Sequence, residues 1–128
     1  MYDLLIRNGK IIDGTGSPWY YGDIAVENGK IARIGKLDHV EAAEVVDAKQ
    51  KIVSPGFIDM HTPSDLVILD EPLIEAKVRQ GITTDLLGKD GIAAAPLPEN
   101  YVSPWRKNLA GLDGTPPIEW DWNTVENY

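Results

Sequence analysis

The hydrophobic pattern changes character partway along the chain. Through residues 1–53, short runs of β-branched and apolar residues alternate with turn-forming residues, the signature of short strands. Two segments match twenty residues apart. Asp3-Leu4-Leu5-Ile6-Arg7-Asn8-Gly9-Lys10-Ile11 resembles Asp23-Ile24-Ala25-Val26-Glu27-Asn28-Gly29-Lys30-Ile31. Asn-Gly accepts the positive φ angles of a type I′ turn, so each segment predicts a β-hairpin. Asp13-Gly14-Thr15-Gly16-Ser17-Pro18 predicts the connecting loop, and Val45–Ala48 and Lys51–Val53 add short strands. The repeat reads as two structural hairpins of one small sheet or sandwich rather than a paired binding site, because Asn-Gly here answers a backbone need.

Beyond Ser54-Pro55-Gly56 the pattern becomes strand, helix, strand. Pro-Gly punctuates regular structure, so the chain divides into residues 1–53 and 54–128. Ile52 to His61 reads as a loop entering a buried strand. Asp70 is placed to cap a helix with Pro72 in its first turn. Leu73, Ile74, Ala76 and Val78 give that helix an apolar side, and Gly81 ends it. Ile82–Leu87 reads as a second strand. This βαβ unit implies parallel strands and a right-handed crossover, and two parallel strands need neighbours to make a stable sheet. From Gly88 to Glu119 no sustained period is visible, and the stretch is punctuated by Pro96, Pro98, Pro104, Pro116 and Pro117. It also carries Tyr101, Trp105, Leu109, Leu112, Trp120 and Trp122, too apolar for a free tail. The expectation is an irregular extension packed on something outside the chain, with a helix starting at Asn123 or Thr124.

Composition narrows the function. The chain has 128 residues, no cysteine, two histidines and a formal net charge of −8. Residues 1–53 carry 8 acidic and 7 basic side chains, whereas residues 54–128 carry 12 acidic and 5 basic. An acidic chain argues against a nucleic-acid or anionic-membrane surface, both of which need clustered Lys and Arg. No run of about 18 apolar residues is present, and the amino terminus lacks a signal-peptide pattern. The absence of cysteine excludes disulfides and thiolate metal sites, and a cytoplasmic location is expected. His39, in the polar stretch Leu37-Asp38-His39, reads as a surface residue.

Several segments together resemble the start of a metal-dependent amidohydrolase. These are Asp3 to Gly16, Gly22 to Gly35, and Pro55-Gly56-Phe57-Ile58-Asp59-Met60-His61. Ser64-Asp65-Leu66, the run Gly81 to Ile92 with Ala95-Pro96, and Gly111-Leu112 with Trp120-Asp121-Trp122 make it most similar to the N-acyl-D-amino-acid deacylase (D-aminoacylase) branch. The resemblance implies an α/β protein in two parts. One is a small β-sandwich built from the N-terminal strands and strands from further along. The other is a (β/α)8 barrel bearing a metal site at the carboxyl ends of its strands. Residues 52–90 would be strand 1, helix 1 and strand 2 of that barrel. A barrel takes about 250 residues, so a larger companion chain or segment is expected to complete it, in a hetero- or homo-oligomer.

The resemblance also implies the chemistry. Strand 1 of such barrels ends in His-x-His, because residues i and i+2 project to the same side of a strand. Here the motif is His61-Thr62-Pro63, and proline offers no side-chain ligand. A cysteine that such sites use after strand 2 is matched by Asp90, in Gly88-Lys89-Asp90-Gly91. A carboxylate binds zinc as a harder ligand than thiolate. His61 and Asp90 are therefore the candidate ligands of a divalent metal, zinc by resemblance, with Asp65 a third candidate. Asp59 reads as orienting strand ends. No catalytic residue falls within the chain; the general base and further histidines would come from later strands. The expected activity is hydrolysis of a small-molecule amide by metal-activated water. The competing reading is a non-catalytic structural or regulatory subunit marked by Pro63 and Asp90. A free-standing β-module is a third, opposed by the incomplete βαβ unit.

Overall fold

The computed structural model describes residues 1–128, which form two compact units, Met1–Pro55 and Gly56–Tyr128. The first is a five-stranded sheet built around β1 (Tyr2–Ile11). β2 (Tyr20–Glu27) pairs antiparallel with β1, and β3 (Lys30–Gly35) pairs antiparallel with β2. On its other edge β1 pairs in parallel with β4 (Ala42–Asp47) and then with β5 (Ile52–Val53).

The two Asn-Gly dipeptides have different fates. Asn28 and Gly29, at φ 52° and 70°, make the predicted hairpin turn between β2 and β3. Asn8-Gly9 does not. β1 runs straight through it, and the register to β2 slips between Ile6 and Gly9, a β-bulge with Asn8 at φ 56°. Distant partners hold the bulge. The Asn8 backbone N–H donates to Asp23 Oδ1 at 2.9 Å and its side-chain amide to Asp47 Oδ1 at 2.9 Å.

Directly paired residues share a face of the sheet. On one face Leu5 pairs with Ala25, and the loop after β3 folds back to seat Leu37 on them, with Tyr2, Val40 and Ala42 against the cluster. On the other, Ile6, Ile24, Ile34 and Val46 form a continuous apolar row. Ile24 is buried, but Ile34 and Val46 remain 43% and 44% exposed, so the unit is one sheet layer whose second face is only partly covered.

The second unit opens with the parallel pair β6 (Phe57–Asp59) and β7 (Ile82–Asp85). Gly56 lets the two strands approach: a Cβ there would lie 2.0 Å from Thr83 Oγ1. The strand at Phe57–Asp59, expected to be buried, exposes Phe57 and Ile58, because a two-stranded sheet covers neither of its faces. The helix expected after Asp70 is reduced to one turn, α2 (Glu75–Val78), and a separate turn, α1 (Val67–Asp70), precedes it. Asp70 ends the first turn rather than capping a helix. Pro72 pushes the residue before it out of the helical region, and Glu71 sits at φ −121°, ψ 74°. Gly81 does stop the helical segment, at φ 83°.

The region expected to be irregular contains the longest helix, α3 (Glu99–Asp113). Pro98 occupies its N-cap, where no N–H is required, and Pro104 lies on the exposed side. Val102, Trp105, Leu109 and Asp113 make the inward stripe at helical spacing. Much of the aromatic extension packs within its own unit, while Tyr101 and Leu112 stay exposed. Leu66, Ala94, Ala95, Leu109 and Trp122 form a core, with Trp105, Trp120 and Tyr128 against it. The indole N–H groups of Trp105 and Trp122 donate to the carbonyls of Ala93 and Ala94 at 3.0 and 3.2 Å. Residues 124–127 make only a turn. No helix is long and apolar enough to cross a membrane.

Candidate functional site

The carboxyl ends of β6 and β7 bring together the residues of interest. Asp59 and Asp85 are register partners there, and the Leu86 N–H donates to the Asp59 carbonyl at 2.9 Å. Two carboxylates facing each other repel. Lys77, reaching from α2, resolves this by donating to Asp59 Oδ2 at 3.0 Å and Asp85 Oδ2 at 2.8 Å. Its third bond goes to Thr62 Oγ1 at 2.6 Å. The Lys77 side chain is only 17% exposed. Burial pulls its pKa down, but the bonds to Asp85 and Asp59 outweigh that and hold it above the usual lysine value. Asp59 lies below the usual carboxylate range, first because the His61 backbone N–H bonds its Oδ1 and then because of Lys77.

Past β6 the chain alternates. Thr62 and Ser64 turn inward and bond each other at 2.6 Å, while His61 and Pro63 face solvent. Position 63 thus lies on the same side as His61 and supplies no donor atom. Past β7, Gly88, Asp90 and Gly91 all take positive φ, and this tight loop swings Asp90 back to His61. His61 Nε2 and Asp90 Oδ2 are hydrogen-bonded. An ionised carboxylate only accepts, so the imidazole donates. Both side chains are largely exposed, 71% and 66%.

Asp65 stands apart from this pair. It is 1% exposed, and its Oδ1 accepts the Gly88 N–H at 2.9 Å. Its Oδ2 is buried without a partner, as is Oδ1 of Asp113. Burial raises the pKa of both carboxyls. The Tyr128 hydroxyl donates to the Asp65 carbonyl at 2.6 Å, and burial first, then the nearby Asp65 and Asp113 charges, push it up to about 12. Asp65 therefore ties the His61 loop to the Asp90 loop from inside the core. His39 is exposed, in the first unit, at φ 59°.

The metal requirement can be tested on these contacts. Zinc takes three or four protein donors. His61 and Asp90 supply two, Pro63 supplies none, Asp59 and Asp85 are engaged by Lys77, and no group of three or more metal-competent side chains exists. The residues of this chain do not make a metal site by themselves. Lys77 is the member of the site that sequence reasoning missed. Its signal was present, as the one cation among the apolar residues Ile74, Ala76 and Val78. An open cleft on the first unit, about 730 Å³ and lined by Asn8, Asp23, Lys36, Asp47 and Lys49, is surface lacing instead. There Asp23 accepts backbone N–H groups from Asn8 and Leu37.

No protein-family model matches the chain. It is 41% identical over 100 residues to the N-acyl-D-aspartate deacylase of Alcaligenes xylosoxydans xylosoxydans, a match covering 78% of this chain and 20% of the relative. The crystal structure of N-acyl-D-glutamate deacylase from Bordetella bronchiseptica, complexed with zinc and a phosphonate inhibitor, aligns at TM-score 0.77. That alignment has 44% identity and covers 90% of this chain and 24% of that one. A D-aminoacylase whose crystal structure defines a subset of amidohydrolases aligns at TM-score 0.72 and 36% identity, over 80% of this chain and 23% of that one. Over the aligned residues the chain is similar to the D-aminoacylase members of the amidohydrolases. It spans about a fifth of the length of the curated relatives it matches.

Proposed function

We propose that this chain is part of a hydrolase of amide C–N bonds in N-acyl D-amino acids. To that enzyme it brings the sheet of its first unit, the strand and turn bearing His61, and the loop bearing Asp90. The observation that carries the reading is the parallel β6–β7 pair with His61 and Asp90 bonded beyond its carboxyl ends. Barrel enzymes of this architecture place their chemistry at that end of the strands. In this reading a companion chain or a further segment supplies the remaining strands. His61 and Asp90 are two of the three or four donors to a divalent metal, zinc being the ion in the inhibitor-bound relative. Because the chain holds too few donors, no catalytic step is assigned to its own residues.

The test is to purify the chain with whatever companion completes it, and to measure metal content and release of free amine from N-acyl D-amino acids. About one divalent metal per assembly is expected. His61→Ala should lower occupancy or rate about tenfold or more. Unchanged metal and rate in that variant would remove His61 from the site. A second reading, a non-catalytic subunit, is favoured by Pro63 standing on the His61 side of the strand end. A metal-free, inactive assembly would select it.

A further inference from the structure

We propose that Lys77 is the positioning residue of the His61–Asp90 pair, setting whether the two side chains meet. The inference rests on reading that pair as one functional unit. An ammonium has three donors and no acceptor. Lys77 spends all three on different segments: the end of β6 through Asp59, the turn beyond it through Thr62, and the end of β7 through Asp85.

Two of those segments flank His61 directly. Asp59, two residues before it, also accepts the His61 backbone N–H at 3.1 Å, so the imidazole's own peptide unit hangs on a carboxylate that Lys77 holds. Thr62, immediately after it, is 5% exposed and locked between Lys77 and Ser64. The third segment leads to Asp90. One half-buried cation therefore fixes both sides of the backbone under His61 and the strand end that launches the Asp90 loop. The pair itself is exposed and has no packing of its own to hold it. Without Lys77, two facing carboxylates would push the strand ends apart, and the exposed hydrogen bond is the contact least able to resist.

The test uses the full chain and the imidazole ¹⁵N spectrum at one fixed pH. The chain has two histidines, so His39, in the other unit, is the internal reference. In the wild-type background Asp90→Asn should shift the His61 ring nitrogens, because the carboxylate acceptor becomes an amide. In a Lys77→Met background the same Asp90→Asn change should move them less than half as far, with His39 unmoved. Lys77→Arg, which retains a multidentate cation, should restore most of the response. An undiminished response in Lys77→Met overturns the proposal. Should Lys77→Met fail to fold, Thr62→Val decides. It removes one arm beside His61 and leaves both carboxylate bonds, so the response should fall by a smaller margin, and no fall at all overturns the proposal. None of these readouts needs metal or turnover. An inactive, metal-free assembly would therefore count against the proposed function and leave this inference standing.

Discussion

The two units solve the same problem, holding acidic side chains in a small fold, in opposite ways. In the Met1–Pro55 unit the carboxylates are exposed and accept backbone N–H groups at turns. Asp13 takes Thr15, Asp47 takes Lys49, and Asp3 takes Asn28. The strands are held by their ladders, and the acids trim the corners. In the Gly56–Tyr128 unit only two short strands pair, and the acids go inside. Asp65 and Asp113 are 1% and 3% exposed, each with an oxygen that finds no partner, and Asp85 is buried against Lys77. A buried polar group without a bond costs about 1–3 kcal/mol. The second unit therefore leans on its aromatic core, while the first leans on backbone pairing and leaves one apolar face partly uncovered.

That contrast can be broken most forcefully at Leu109, which is 2% exposed in the core of the second unit. Leu109→Ala should cost about 2–5 kcal/mol. Amide hydrogen exchange should show protection lost across residues 56–128 and kept in β1 and β2. Equal loss in both units would mean that they are not separate in stability. The matching change in the first unit is Gly9→Ala. An added Cβ would lie 2.9 Å from Val53 Cγ2, where β5 closes on the bulge. Overpacking of this kind costs about 1–3 kcal/mol. Val53→Ala in the same chain should recover much of it, as judged by the exchange rates of β1 amides.

Legibility from sequence follows the same divide. Asn28-Gly29 was readable because everything that decides its turn lies within a few residues. Asn8-Gly9 is the same dipeptide and was misread as a hairpin, because Asp23, Asp47 and Val53 decide its geometry from 15 to 45 positions away. Helix α3 was missed since prolines punctuate it and Asp113 interrupts an otherwise apolar stripe. A buried aspartate bonded to Leu66, 47 residues distant, leaves no local trace. His61 and Asp90 were legible only through family resemblance, as nothing near either residue points to the other. Lys77 carries a local signal, one cation among apolar residues, but its carboxylate partners are defined only once both strand ends have converged.

The bulge offers a third, smaller perturbation. A non-glycine residue in the left-handed region costs about 1–2 kcal/mol where asparagine tolerates it. Asn28→Ala and Asn8→Ala should both pay this, at φ 52° and 56°. Asn8→Ala should lose about a further 1 kcal/mol, because the bond from its side chain to Asp47 disappears. Urea midpoints measure the difference. Equal midpoints would reduce Asn8 to a residue chosen for its backbone alone.

The smallest expected effect is in acid, where the two units should respond differently. In the first, hydrogen bonds from Thr15 hold Asp13 below the usual carboxylate range, and bonds from Asn8 and Lys49 do the same for Asp47. Their contribution is present above the unfolded aspartate pKa and is lost as pH falls through the folded values. In the second unit burial raises Asp65 and Asp113, so the folded state binds protons more readily than the unfolded one. Stability from these two increases as pH falls from neutrality through their raised values. Asp59 opposes them, since its pKa is lowered. Lys77 adds nothing in this window, its raised pKa acting only at alkaline pH. The result should be an acid loss in residues 1–55 and a smaller one in residues 56–128, where Asp65 and Asp113 act against it. Asp113→Asn removes one of the two gains and should tilt the second unit further toward acid loss. Residue-resolved exchange between neutral and mildly acidic pH measures both slopes. A first unit that gains stability in acid would contradict the assignment of its exposed carboxylates to turn caps.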